Sequence, residues 1–217
     1  KGLKDARKNY KIKNDLNILE KENEHIWFIR DKVIKFSTDT NFIKNRVKRV
    51  NFLRGYVPDI VKNSENMYLY EKFNGEVFSS LEDINKFKEL LSYSKKFWKK
   101  YKLNESMIEK FESICKTFYK DKTIKRIKAF YKNFKREDNL DYINGRKVKR
   151  LNLLINLIDW QSIYRGIPVR YHGDFHFENI LVDNNRFLFI DWRQDFGGNL
   201  KYGDIYYDLS KLLHGLI

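Results

Sequence analysis

The stretch that most limits what this chain can fold into is "YHGDFHFENILVDNNRFLFIDW", residues 171 to 192. Two apolar runs, "NILV" at 179 to 182 and "RFLFI" at 186 to 190, flank "DNN". Asn tolerates the left-handed backbone of a tight turn, so the pattern predicts a short β-hairpin. Asn179 then stands at the mouth of the first strand and Asp191 at the exit of the second, which brings both to one end. Paired oxygens of that kind suit a hard cation. Asp174, five residues before Asn179, sits where a folded-back loop presents a third oxygen. Mg²⁺ takes few protein ligands, prefers carboxylates and leaves its other positions to substrate phosphates. Phosphoryl transfer needs that metal and a carboxylate that accepts the hydroxyl proton. Singly, each residue has a plainer reading, because Asp and Asn beside turns bond backbone and a lone His is more often structural. Their order, with a hairpin between them, carries the chemical reading.

"HGDFHFEN" followed by "IDW" resembles the His-Gly-Asp-x-x-x-x-Asn and Asp-Trp signatures of the aminoglycoside phosphotransferase and choline kinase family, a branch of the protein-kinase-like fold. The resemblance implies an α+β, bilobal protein-kinase-like fold, with a small antiparallel β lobe and a larger helical lobe carrying the catalytic β-hairpin. It implies that Asp174 is the catalytic base, that Asn179 and Asp191 hold Mg²⁺, and that His172 props the loop from behind. His176 lies inside the loop, as in that family. "GDIYYDLSKLLHGL" at 203 to 216 resembles the family's Asp-Leu-Ala helix, which makes Asp208 the residue that ties down the catalytic-loop backbone.

Upstream, "LNILEKENEHIWFIRDKVIKF" at 16 to 36 breaks at "KEN" and "RDK" and predicts three antiparallel strands. "VIKF" has the form of the kinase strand whose lysine points at the nucleotide phosphates, and Lys35 is that lysine by resemblance. Phe42, Ile43, Val47, Val50 and Leu53 fall at helical spacing between an Asp or Thr cap and Gly55, in the slot of the family's helix C. Two further strands lead into "YEKFNG", similar to the family's hinge, where backbone groups of Glu71 and Phe73 would bond adenine. The implied boundaries are a nucleotide-binding lobe over residues 1–72, a hinge at 73–76, and a catalytic and substrate lobe over 77–217 that breaks off inside a helix.

Two features depart from the family. Residues 40–55 contain no Asp or Glu to pair with the strand lysine, leaving Asp39 as the nearest substitute. The loop between the first two expected strands reads "EKENEH" in place of a glycine-rich loop.

Beyond residue 80 the pattern is helical. Ile84, Phe87, Leu90, Leu91, Phe97, Trp98 and Tyr101 form one stripe. Met107, Ile108, Phe111, Ile114, Cys115 and Phe118 form a second, after an Asn cap. "DKTIKRIKAFYKNF" and "VKRLNLLINLIDWQSIYRG" read as two more helices, the latter closed by Gly166. The single cysteine allows no internal disulfide and suits a reducing compartment, and no apolar run reaches the length of a membrane span. The expected setting is cytoplasmic, without membrane contact.

A net charge of +15 invites a nucleic-acid reading, with "KKFWKKYK" and "KTIKRIKAFYKNFKR" interleaving cations and aromatics. Its distribution argues against one. Residues 151–217 hold 6 Lys and Arg against 8 Asp and Glu, so the excess lies upstream, where solvated helix faces are the default. The reading favoured by the residues and the resemblance is an Mg²⁺-dependent kinase that uses ATP, with GTP as the alternative, on a small-molecule hydroxyl. A degenerate nucleotide-binding module is the runner-up and a basic nucleic-acid binder the third. Acceptor candidates are His176, Arg193, Asp195 and Tyr206. "IDWRQDFGGNLKYGDIYYDL" is similar to phosphotransferase domains of bacterial capsule and surface-polysaccharide synthesis, some fused to a nucleotidyltransferase domain, which implies a sugar, polyol or amino-alcohol acceptor and a piece of a longer chain.

Overall fold

The computed structural model describes residues 23–135, 137–139, 142–184 and 186–216. The first of the three strands expected over 16–36 lies outside the described residues. The other two form a hairpin, β1 (Glu24–Ile29) and β2 (Lys32–Ser37), in antiparallel register with Ile26 opposite Lys35. Glu24 and His25, expected in the loop over the phosphates, are part of β1. Period-two alternation in β2 buries Val33, Lys35 and Ser37 on one face.

Helix α1 (Thr40–Leu53) follows, begun by Asp39, whose carboxylate accepts from the Phe42 N–H at 3.0 Å. Its buried stripe is Ile43, Arg46, Arg49, Val50 and Leu53. Then come β3 (Ile60–Asn63) and β4 (Met67–Glu71), which complete a four-stranded sheet of order β1-β2-β4-β3. Tyr68 and Tyr70 of β4 are buried beside Val33, Ile43 and Leu53.

A two-residue strand, β5 (Glu76–Val77), leads into the helices. These are α2 (Ile84–Phe97), α3 (Glu105–Lys116), a π-helical turn at Thr117–Asp121, and α4 (Lys122–Phe134). Caps at Asp83 and Asn104 satisfy first-turn N–H groups of α2 and α3. The predicted stripes are only partly buried. Leu90, Phe97, Phe111, Cys115 and Phe118 are inside, whereas Ile84, Met107 and Ile108 are exposed, because α2 and α3 offer only part of their apolar arc to neighbours.

After the hairpin β6 (Tyr142–Ile143) and β7 (Arg146–Lys147), the single helix expected over 148–166 is instead two, α5 (Leu151–Asn156) and α6 (Trp160–Tyr164). Asp159 divides them. Its carboxylate accepts from the Ser162 N–H at 3.1 Å and the Ser162 hydroxyl at 2.6 Å, which starts a new helix and ends the old one.

Strand β8 (Pro168–Val169) precedes the 171–192 stretch, where β9 (Ile180–Asp183) and β10 (Arg186–Phe189) form the expected hairpin, Ile180 opposite Phe189. β9 also pairs with β5, and β11 (Gly203–Asp204) pairs with β8 before α7 (Ile205–His214). One apolar cluster runs from the sheet through α1 to the hairpin, with Leu53, Phe97, Phe175, Phe189 and Trp192 fully buried. A second packs around Phe196, with Phe111, Phe118, Tyr171 and Tyr202. Large side chains of this sort each contribute about 1.5–3 kcal/mol when fully buried, which fixes the loop from 171 to 179 between two packed bodies. No helix among the described residues is long and apolar enough to cross a membrane.

Candidate active site

The hairpin ends carry the site. The Ile190 N–H donates to the Asn179 carbonyl at 2.8 Å, so Asn179 and Asp191 lie beside each other where β9 begins and β10 ends. Asp191 has φ +59, a left-handed conformation that Asp tolerates and that functional positions often retain. The Asn179 side-chain amide donates to the Asp174 carbonyl at 2.9 Å and to its carboxylate at 3.3 Å. That geometry leaves the Asn179 Oδ1 for a cation. His176 Nε2 lies 3.5 Å from Asp174 Oδ2 and 3.0 Å from the Asn179 amide nitrogen.

Asp208, on α7, reaches under the loop. Its carboxylate accepts from the backbone N–H groups of His172 at 2.7 Å and Gly173 at 2.6 Å, and from the Trp98 indole at 3.0 Å. Burial pushes Asp208 up to about 6, against the pull of those three donors. Gly173, at φ +91, has to be glycine, since a Cβ there would come within 2.5 Å of the Arg193 Cβ. Burial, and then the Arg49 charge, push His172 down to about 3. A neutral His172 accepts from the Asp174 N–H at 3.3 Å through Nδ1. Asp174 itself is partly desolvated, which favours the acid, but hydrogen bonds from His176 and Lys211 outweigh this and hold it well below the usual carboxylate range. Lys211 Nζ is 3.0 Å from Asp174 Oδ1.

The opposite wall is built by β2 and α1. Lys35 is 7% exposed, and its ammonium donates to Asp191 Oδ1. The Asp39 carboxylate is used as the cap of α1. In place of an acid, α1 presents Arg46, whose Nη1 lies 3.2 Å from Asp191 Oδ1 and 3.1 Å from the Tyr68 hydroxyl. One turn on, the fully buried Arg49 donates to the carbonyls of Tyr171 at 2.6 Å, Leu200 at 3.1 Å and His172 at 3.4 Å, and to that of Arg193. Its guanidinium also lies 4.1 Å from the Tyr171 ring centroid.

Asn179 and Asp191 offer adjacent hard oxygens, and among the described residues no group of three or more His, Cys, Asp and Glu makes an all-protein metal cage. That donor set fits an Mg²⁺ ion bound largely through phosphates. Near the expected hinge, Lys72, Phe73, Asn74, Gly75 and Glu76 line an open cleft of about 650 Å³ together with Val182 to Asn184 of the hairpin. The Glu71 side chain is turned to Lys32 at 2.8 Å, which leaves only its backbone for an adenine ring.

Residues 129–216, from the middle of α4 through the hairpin to α7, match the family model described as phosphotransferase enzyme family. Among solved structures, the streptomycin–ATP ternary complex of APH(2")-IIa matches 95% of this chain and 74% of its own, at 19% identity and a TM-score of 0.55. The chain has the protein-kinase-like fold of the aminoglycoside phosphotransferases. A weaker likeness is to the ADP-bound aminoglycoside phosphotransferase APH(2'')-Ib, 18% identical over 95% of this chain and 72% of that one, with a TM-score of 0.47. No curated protein sequence matches significantly.

Within this fold, Lys35, Asp174, Asn179, Asp191, His172 and Asp208 converge at one site, and His176, one of the suggested acceptor residues, joins them 3.5 Å from the Asp174 carboxylate. The Arg193 guanidinium lies 5.0 Å from the Phe118 ring. Asp195 spends Oδ1 on the Gly198 N–H at 2.9 Å, and Tyr206 is exposed at the start of α7. Arg46, Arg49 and Lys211 were not singled out by sequence reasoning. A signal existed for the arginines, since both fall on the buried stripe of α1, where an unneeded cation would be costly. Of the aromatics offered as nucleic-acid stacking platforms, Phe97 is fully buried and Trp98 packs on Phe175, while Phe130 and Phe134 are exposed.

Proposed function

We propose that this chain is an Mg²⁺-dependent small-molecule kinase that transfers the γ-phosphoryl group of ATP or GTP to an alcohol. The observation that carries this reading is the convergence of Asp174, Asn179, Asp191 and Lys35 from a loop, a hairpin and the facing sheet. The acceptor hydroxyl oxygen bonds the γ-phosphorus as the bond to the bridging oxygen of the leaving diphosphate breaks. The hydroxyl proton passes to Asp174, yielding a phosphate monoester and ADP or GDP. Lys35 directs its ammonium at the phosphates, and backbone groups at Glu71 and Phe73 bond the base. Asn179 and Asp191 would hold Mg²⁺, which supplies charge neutralisation across the phosphates. His172 and Asp208 keep the loop in shape without touching substrate.

The loop's low-lying carboxylate acts chiefly by position: at neutral pH it is ionised and within bonding reach of an incoming hydroxyl. The setting we propose is cytoplasmic, with a sugar or polyol acceptor of surface-polysaccharide synthesis, on the wording of residues 190–209. A second reading, a nucleotide-binding module without turnover, is favoured by Arg46 standing on α1 where an acid would aim Lys35. The deciding experiment is acceptor-stimulated, Mg²⁺-dependent release of ADP or GDP. Asp174→Asn is expected to lower turnover about 10²–10⁴-fold while nucleotide binding is retained. An Asp174→Asn protein with wild-type turnover would exclude the base assignment, and nucleotide binding with no release from any acceptor would favour the second reading.

A further inference from the structure

Resting on the phosphotransferase reading, we propose that the acceptor is an anionic alcohol, carrying a phosphate or carboxylate alongside the hydroxyl that is phosphorylated. The side of Asp174 away from the nucleotide wall is cationic and aromatic. Lys211 Nζ, 3.0 Å from Asp174, lies 5.9 Å from the Tyr207 ring centroid. The Arg193 guanidinium is 6.0 Å from that ring and 5.0 Å from the ring of Phe118. Lys122 Nζ is 4.4 Å from the Phe118 ring, and Phe118 and Tyr207 meet edge to face at 4.8 Å. Three elements, α4, α7 and the segment after the hairpin, thus turn a cation towards one aromatic pair. The exposed Arg126 adds a fourth charge one turn along α4.

The carboxylates nearby are engaged elsewhere. Asp195 caps its own turn through Gly198, Glu178 faces His176 at 4.0 Å, and Asp204 takes the Tyr119 hydroxyl at 2.7 Å and the Ile167 N–H at 2.9 Å. No carboxylate among the described residues forms a salt bridge with Lys122 or Arg193. Half-burying a cation beside other cations is unfavourable unless a counter-ion arrives, and Lys122 registers it. Burial first, then the charges of Arg193, Arg126 and Lys211, push its ammonium down to about 8, with Asp195 opposing. The π-helical turn Thr117–Asp121 supplies Phe118 and runs directly into Lys122, and single π turns of this kind recur at functional sites. An incoming phosphate or carboxylate neutralises this cluster and releases Lys211 from Asp174 as the hydroxyl takes its place. An ammonium-bearing acceptor would meet repulsion at the same point.

The test is calorimetric binding to the wild-type chain saturated with Mg²⁺ and a non-hydrolysable ATP analogue. Glucuronate, glucose and glucosamine share one ring and differ in charge; glycerol 3-phosphate and glycerol form a second set. The expected result is at least tenfold tighter binding of each anion than of its neutral or cationic counterpart. Lys122→Met, and separately Arg193→Met, should weaken the anions about tenfold and leave the neutral ligands unchanged. Lys128→Met, removing an exposed charge on the same helix, should change nothing. Equal or tighter binding of glucose or glucosamine, no binding of either anion, or anion binding untouched by both variants would each overturn the proposal. Nucleotide release measured in parallel separates the two readings. Turnover of neutral or cationic alcohols in preference to anions leaves the kinase standing and removes this inference, whereas anion binding without turnover of any acceptor does the reverse.

Discussion

His172 and Asp208 meet through one backbone N–H yet titrate in opposite directions. Burial and the Arg49 charge take the imidazole from an ordinary 6.5 down to about 3, whereas burial takes the carboxyl up to about 6. Between pH 6.5 and 3 the unfolded chain binds a proton at His172 and the folded chain does not. His172 therefore contributes stability that is complete above about pH 6.5 and drains away in acid by about 1.4 kcal/mol per pH unit. Asp208 has the opposite sign, because its raised value favours the folded state at low pH and that advantage is lost as pH rises through about 6. In His172→Gln the imidazole contribution is removed and that of Asp208 remains. Urea midpoints at pH 7.5, 6 and 5 should show the deficit of the variant relative to wild type shrinking by about 1.4 kcal/mol per unit below pH 6.5. A deficit independent of pH would mean that His172 titrates normally. At this scale the sequence was legible wherever order carried meaning, as for Asp174, Asn179 and Asp191. It was silent on Arg46 and Lys211, whose partners lie 145 and 37 positions away along the chain.

Elements were readable where a short-range signal decided them. The hairpin followed from two apolar runs about an Asn turn, and α1 from its cap and stripe. The helix expected over 148–166 was misread because Asp159 can cap or be carried within a helix, and only its bond to Ser162 decides. Asp39 poses the same ambiguity between a cap and a lysine partner. Asp39→Ala removes the acceptor for the Phe42 N–H and is expected to cost about 1 kcal/mol of stability. Because Lys35 pairs with Asp191 while the Asp39 carboxylate caps α1, the same variant should leave nucleotide affinity within twofold of wild type. Affinity lost in step with stability would restore Asp39 as the residue that aims Lys35.

On the scale of the whole molecule, α1 joins the sheet to the loop that carries Asp174. Arg46 reaches Tyr68 of β4 through its guanidinium and receives the Trp192 indole on its carbonyl at 3.0 Å, while Arg49 holds four carbonyls of residues 171–200. A buried guanidinium held by carbonyl dipoles and the Tyr171 ring, with the charges of Asp208 and Asp195 acting on it without a salt bridge among the described residues, is easily unsettled. Removing it strands those oxygens at about 1–3 kcal/mol for a buried group left unmatched. Arg49→Met should accordingly lower stability by about 2–4 kcal/mol, read as a shifted urea midpoint at constant slope. Lysine offers one compact ammonium in place of a planar fork, so Arg49→Lys should recover only part of that loss. Function should respond as well, since two of those carbonyls belong to Tyr171 and His172, just before Asp174. At saturating nucleotide and acceptor, and at a temperature where each protein is folded, both variants should turn over more slowly with nucleotide affinity nearly unchanged. A fully folded Arg49→Met chain with wild-type turnover would show that Asp208 and Asn179 alone hold the loop.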